Sequence, residues 1–267
     1  MSDELKDAAK GATTGRGFTR NRMSETIRTP TVAIVDFGLG NLYSVLRACE
    51  RVGLAARITS SHRDVLAADG VILPGVGAFG DAMSNLRRLD LVGPLREIHN
   101  RESPLIGICL GLQLMMTGSS EFGDHQGLGM IDGPVVHFGR PAEKNSVLKV
   151  PQVGWNRVFR RACDEAAVDQ LPAAADDPWQ HTPLAGLADG RHMYFVHSYY
   201  VRPTDSSVVL SVTRYGDVEF CSAIRVGNTF AFQYHPERSG PDGLRVYRNI
   251  AGLIQHHAGA EEPRHAA

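Results

Sequence analysis

Leu105-Ile106-Gly107-Ile108-Cys109-Leu110-Gly111-Leu112-Gln113-Leu114 decides the fold, because it reads as a buried strand turning at once into a helix. Leu105–Ile108 is a continuous apolar run, the pattern of a strand covered on both faces. Cys109 stands at the corner, and Leu110–Met116 opens the helix. The same alternation extends towards the N-terminus. Thr31-Val32-Ala33-Ile34-Val35 is a β-rich run ending in Asp36, followed by a turn at Gly38, Gly40 and Asn41. Leu42, Val45, Leu46, Cys49 and Val52 then form the stripe of an amphipathic helix, with Gly53 as its stop. Ala55–Thr59 is a short strand. Val71-Ile72-Leu73 is a buried one that runs into Pro74-Gly75-Val76-Gly77, and a helix carrying Met83, Leu86 and Leu89 follows. Strands alternating with helices predict an α/β fold: a doubly wound, mostly parallel sheet flanked by helices.

The second half predicts a smaller antiparallel strand region. Its runs are Gly133–Phe138, Met193–Val196, Val208–Thr213, Cys221–Val226 and Thr229–Tyr234, and a helix from Gly243 to about His256 closes it. Residues 1–28 are polar and aperiodic and read as a disordered leader. Asp3, Glu4 and Asp7 count against a mitochondrial presequence, which avoids acids. Residues 29–257 form one predicted domain. Within it the Ala-, Asp- and Pro-rich stretch 161–190 is a loop insertion, and 258–267 is a frayed tail.

Composition narrows the function. The net charge is −1, without the basic surplus of a general nucleic-acid binder. No apolar run approaches the roughly 18 residues of a membrane span, and the N-terminus lacks a secretory apolar stretch. Four scattered cysteines with no C-x-x-C pair argue against a disulfide framework or structural zinc and point to a reducing cytoplasm. No cofactor or metal motif is present. Gly38-Leu39-Gly40 begins a dinucleotide-like pattern, but Tyr43 occupies the third glycine position.

The chemistry concentrates in two places. Gly-x-Cys-x-Gly after a strand and before a helix is the cysteine form of the nucleophile elbow. Its glycines let strand and helix pass closely, and the helix N-terminus favours thiolate and leaves the Leu110 N–H for a developing oxyanion. A buried structural cysteine is the commoner fate of a free thiol, and that reading is kept for Cys49, Cys163 and Cys221. The second place is His235-Pro236-Glu237, at the end of the strand-like run Phe230–Tyr234. In extended chain His235 and Glu237 share a face, so the carboxylate can orient the imidazole. His62, His99, His125, His181, His256 and His257 read as surface or filler. Cys109, His235 and Glu237 thus make a nucleophile, base and orienter.

GICLGLQL at 107–114 and FQYHPERSG at 232–240 resemble the class I, or triad, glutamine amidotransferases. DFGLGN at 36–41, LPGVGAFGDAM at 73–83, GLGMIDGPVVHF at 127–138, VPQVGWN at 150–156 and YFVHSYY at 194–200 resemble one subgroup, the glutaminase subunits of imidazole glycerol phosphate synthase. The resemblance spans about 31–255. It implies that Cys109 attacks the glutamine side-chain amide, that His235 handles the protons and that Glu237 orients it. It further implies that Gln113, Ser198 and Tyr199 hold glutamine and that Glu121 lies near the substrate ammonium. Gly75, Val76 and Gly77 would form an oxyanion strand, misoriented in this family until the partner's substrate binds, with the Leu110 N–H as second donor. Asn41, Trp155 and Arg238 would face the partner, a (β/α)₈-barrel cyclase forming a heterodimer. Trp155 has core packing as its default reading. Four departures stand out: the leader of about 28 residues and the stretch 161–190 exceed the usual pattern, Gln152 stands where a His is usual, and Arg238 replaces a common Lys. They leave room for a paralogue feeding ammonia to another synthase, such as one aminating a surface sugar. A non-catalytic regulatory subunit is the third reading, and the complete Cys-His-Glu set argues against it.

Overall fold

A computed structural model describes residues 28–144, 146–161 and 177–261. The leader apart from Arg28, most of the first half of the 161–190 stretch with Cys163, and residues 262–267 lie outside it. The first half runs β1 (Thr31–Val35), α1 (Leu42–Arg51), β2 (Ala55–Thr59), α2 (His62–Ala67), β3 (Gly70–Gly75), α3 (Phe79–Arg88), α4 (Val92–Asn100), β4 (Leu105–Cys109) and α5 (Leu110–Leu114); its strands and α1, α3 and α5 stand where the sequence predicts them, and α2 and α4 are helices that the sequence reading did not include. Asn41 caps α1 by accepting from Ser44 N–H, and Gly53 ends the turn beyond it at φ +83.

The second half supplies β5 (Met116–Ser119), β6 (His125–Gln126), β7 (Ile131–His137), a ribbon of β8 (Ala142–Glu143) and β9 (Ser146–Val147), and β10 (Gln152–Val158). Then come β11 (Arg191–His197), β12 (Tyr199–Val201), β13 (Val209–Tyr215), β14 (Val218–Val226), β15 (Thr229–Phe232) and α6 (Gly240–Glu261).

One sheet of 11 strands runs β2-β1-β3-β4-β15-β14-β12-β7-β5-β6, with β13 on β14. It is parallel from β2 to β15 and antiparallel from β15 through β14 and β12 to β7. Alternate residues of the parallel strands feed two cores. Ile34, Ile72, Ile106 and Phe230 pack with Val45 and Cys49 of α1 and with Val246, Tyr247 and Ile250 of α6. Ala33, Val35, Val71 and Leu73 pack with Phe79, Met83 and Leu86 of α3 and with α2, α4 and α5. Helices on both faces are what near-continuous apolar strands require. β10 and β11 pair separately, Gln152 opposite His197 and Trp155 opposite Tyr194.

Three boundaries differ from expectation. The helix after Cys109 stops at Leu114 and does not reach Met116, which begins β5. The carbonyls of Leu114, Met115 and Met116, which would continue a helix, accept instead from the N–H groups of Leu128, Met130 and Gly129. β15 ends at Phe232, two residues before Tyr234, and Pro236–Arg238 is a 3-10 turn. α6 begins at Gly240, with Pro241 in its first turn where a missing N–H costs nothing, and continues to Glu261. No helix among the described residues is long and apolar enough to cross a membrane.

Candidate active site

The site lies at the C-terminal ends of β3, β4 and β15, where open α/β sheets usually bind ligands. Gly75, the last residue of β3, stands in register with Cys109, the last of β4. Cys109 holds φ +53 and ψ −108, a strained backbone for a residue with a Cβ. Gly111 makes that corner possible, since a Cβ there would sit 1.8 Å from the Leu73 carbonyl oxygen. α5 therefore starts pressed against β3, with the Leu110 N–H among its orphan N-terminal donors.

His235 Nδ1 and Glu237 Oε1 are 2.8 Å apart, and both side chains are buried. The contact spans the 3-10 turn, so it is the turn, and not an extended chain, that brings the two together. His235 N–H donates to the Tyr194 carbonyl, and Ser239 Oγ donates to the His235 carbonyl, so the ring's backbone is held from both sides. Burial lowers the proton affinity of His235, but the Cys109 sulfur and then the Glu237 carboxylate outweigh it and raise the imidazole to about 10. His235 Nε2 has no partner of good hydrogen-bond geometry. Such contacts commonly tighten only when substrate is bound.

A cleft of about 230 Å³ opens at Cys109. Val76, Gly77, Cys109, Leu110, Gln113, Glu121, Ser198 and Tyr199 line it, together with Val196 and His197. Gly77 has φ +108, a value favouring glycine, and Val76 is exposed. The Gln113 amide nitrogen donates to the Tyr199 carbonyl at 2.9 Å and to Gln233 Oε1 at 3.2 Å. Glu121 Oε2 accepts from Phe79 N–H at 2.7 Å, so its carboxylate is anchored at the start of α3. Burial, and then the Glu121 charge, raise Tyr199 above its ordinary value.

The residues expected at a partner surface fall in two places. Trp155 is 56% exposed and meets Tyr194 edge to face, while the Arg238 guanidinium lies 4.4 Å from the Tyr194 ring centroid. Trp155 is thus not core. Asn41 starts α1, whose following turns wall a hollow of about 660 Å³ against the Pro236–Arg238 turn and α6.

Two residues of the site were not legible as such. Gln233, fully buried, donates to the Cys109 sulfur at 3.7 Å while accepting from Gln113. A lone amide in an apolar strand run, two residues before His235, is the signal that was available. His197 is buried, with Nδ1 2.8 Å from the Tyr199 carbonyl. Nδ1 therefore carries the proton, and burial lowers the ring's value to about 3. Its position depends on β11 returning beside Cys109, where the sulfur lies 3.8 Å from the Val196 carbonyl.

With nucleophile, imidazole, carboxylate and a small polar cleft assembled, comparison with known proteins is decisive. Residues 33–251 match the family model for class-I glutamine amidotransferase. The chain is 47% identical over 220 residues to the imidazole glycerol phosphate synthase subunit HisH of Rhodopirellula baltica, covering 82% of this chain and 96% of that one. It is 42% identical to the HisH subunit of Aquifex aeolicus, over 81% and 94% of the two chains. The fold resembles a solved glutamine amidotransferase (TM-score 0.60, 18% identity, 84% and 98% covered) and PurLQS from Thermotoga maritima (0.61, 17%, 85% and 100%). The chain belongs to the class I glutamine amidotransferases, within the group of imidazole glycerol phosphate synthase HisH subunits.

Proposed function

We propose that this chain is the glutaminase subunit of imidazole glycerol phosphate synthase in histidine biosynthesis. It hydrolyses glutamine to glutamate and ammonia and delivers the ammonia to a (β/α)₈-barrel cyclase. The observation that carries the reading is Cys109 at a strained strand end beside a buried His235–Glu237 pair, in a chain sharing 40–47% identity with HisH subunits over most of its length.

The Cys109 thiolate attacks the side-chain amide carbon of glutamine and forms the C–S bond of a tetrahedral intermediate. Its oxygen is received by the Leu110 N–H and by a backbone donor of Val76–Gly77. A prealigned donor of this kind is worth about 100–1000-fold in rate. The C–N bond then breaks, protonated His235 gives its proton to the departing nitrogen, and ammonia leaves a γ-glutamyl thioester. Neutral His235 takes a proton from water, the hydroxide attacks the thioester, and glutamate departs as the C–S bond breaks. Glu237 keeps the imidazole in the tautomer and orientation both halves need. Gln113, Ser198, Tyr199 and Glu121 hold the substrate. Ammonia passes between subunits, because in bulk water near pH 7 it would protonate and stop being a nucleophile. Trp155, Arg238 and Asn41 lie on the surface that meets the cyclase. Four scattered cysteines, three of them buried and free in the structure, suit a cytoplasmic protein.

The test is to mix the chain with a barrel cyclase and the cyclase's ligand and to follow glutamate release. Addition of the ligand is expected to raise glutamine hydrolysis strongly, and the pair should form imidazole glycerol phosphate with glutamine as the nitrogen source. Hydrolysis that ignores the cyclase ligand would point to a paralogue serving another synthase.

A further inference from the structure

The Val76–Gly77 peptide sits between two fixed points. On one side Gly75 closes β3 in register with Cys109, and a Cβ on it would meet the Phe37 ring at 2.9 Å and Leu110 Cβ at 3.2 Å. On the other side Phe79 opens α3. Ala78, the residue that precedes the helix, has no side chain able to cap it. The cap comes from 42 residues away, where Glu121 Oε2 accepts from Phe79 N–H at 2.7 Å. The same loop closes on the helix a second time, since the His125 ring packs so near Gly80 that a Cβ there would lie 2.6 Å from it. Between the two anchors only Val76, Gly77 and Ala78 can turn, and Gly77 at φ +108 is the residue able to reverse its peptide.

We propose that Glu121 is a positioning residue for the oxyanion turn, fixing the start of α3 and thereby the orientation of the Val76–Gly77 peptide that meets the oxyanion. Glu121 also lines the cleft that contains Cys109. One carboxylate therefore joins the wall that receives glutamine's ammonium to the hinge that completes the oxyanion site. Arrival of substrate and alignment of the turn become a single event at this residue. The inference rests on the glutaminase reading of the cleft.

Two substitutions separate positioning from simple attraction of the ammonium. Glu121→Gln keeps an oxygen that accepts from Phe79 N–H but removes the charge. Glu121→Ala removes both. Both are assayed in the full chain with its cyclase and the cyclase ligand. Glu121→Gln is expected to raise KM for glutamine and keep kcat within about threefold of wild type. Glu121→Ala is expected to raise KM and also lower kcat by about 10–100-fold, part of the effect of a lost oxyanion donor. Equal kcat values in the two variants would overturn the proposal and leave Glu121 as an ammonium contact only. If Glu121→Ala does not fold, Glu121→Asp replaces it. That variant keeps the charge but draws the oxygens back by one methylene, and the same fall in kcat is expected, with wild-type kcat overturning the proposal. A wild-type chain that releases no glutamate overturns the glutaminase reading and this inference with it.

Discussion

At the residue scale, the site works by burying charge beside charge. Glu237 is 1% exposed at its side chain and His235 5%, so their contact acts at low dielectric. Replacing Glu237 with Gln keeps the shape but removes the charge that holds the imidazolium. Steady-state kinetics should show kcat lowered by about 100–10,000-fold with KM for glutamine little changed. His197 has the opposite character, a ring kept neutral by burial with a folded value of about 3. Between about 3 and the ordinary 6.5 the unfolded chain binds a proton that the folded chain refuses. Stability therefore rises with pH across that window and is lost as pH falls through it, by up to about 1.4 kcal/mol per pH unit. Denaturant melts of His197→Asn should show a shallower decline from pH 6.5 to 4 than wild type; an unchanged slope would show that other groups govern it. The nucleophile was legible because glycines at fixed offsets have one steric meaning, and Gly111 fulfils it against Leu73. Gln233 was not, because its partners Cys109 and Gln113 lie 124 and 120 residues away, and His197 was not, because its place in the site comes from β11 returning beside the Cys109 sulfur.

At the scale of elements, the inner parallel strands β1, β3 and β4 were readable from near-continuous apolar runs, the pattern of a doubly covered strand. In the second half β7, β11, β13, β14 and β15 were readable as strands, but β10 and β12 were not, and neither was the order, since β10 and β11 leave the main sheet and β12 joins β14 to β7. The short α5 shows why an apolar run alone does not fix a helix: a returning segment captured the carbonyls that would have extended it. Part of the expected insertion at 161–190 is ordered around one buried cation. Arg160 donates to Asp177 and to Asp189, each at 2.8 Å, and its guanidinium lies 3.9 Å from the ring centroid of the buried Trp179. Acids spread through an Ala-rich stretch gave no hint of this, because the Arg that pairs with them precedes the stretch. Removing one partner of a buried pair strands the others, so Arg160→Ala should lose about 3–5 kcal/mol of stability. Chemical denaturation would measure it, and a loss below 1 kcal/mol would mean the pair is dispensable.

At the scale of the molecule, Tyr194 joins the site to an exposed aromatic and cationic surface. Tyr194 accepts from His235 N–H through its carbonyl, and its ring touches both Trp155 and Arg238. Trp155→Ala is expected to weaken binding to the cyclase by about 10-fold or more, the cost of losing an aromatic anchor. Titration calorimetry would show it, and unchanged affinity would remove Trp155 from the interface. Catalysis itself rests on Cys109. The chain carries four cysteines, so an acylated one can be located by peptide mass spectrometry after an acid quench of enzyme, cyclase, cyclase ligand and glutamine. A γ-glutamyl adduct is expected on the peptide containing Cys109 and none on those containing Cys49, Cys163 or Cys221. Glutamate release that persists in Cys109→Ala, or an adduct on another cysteine, would contradict it.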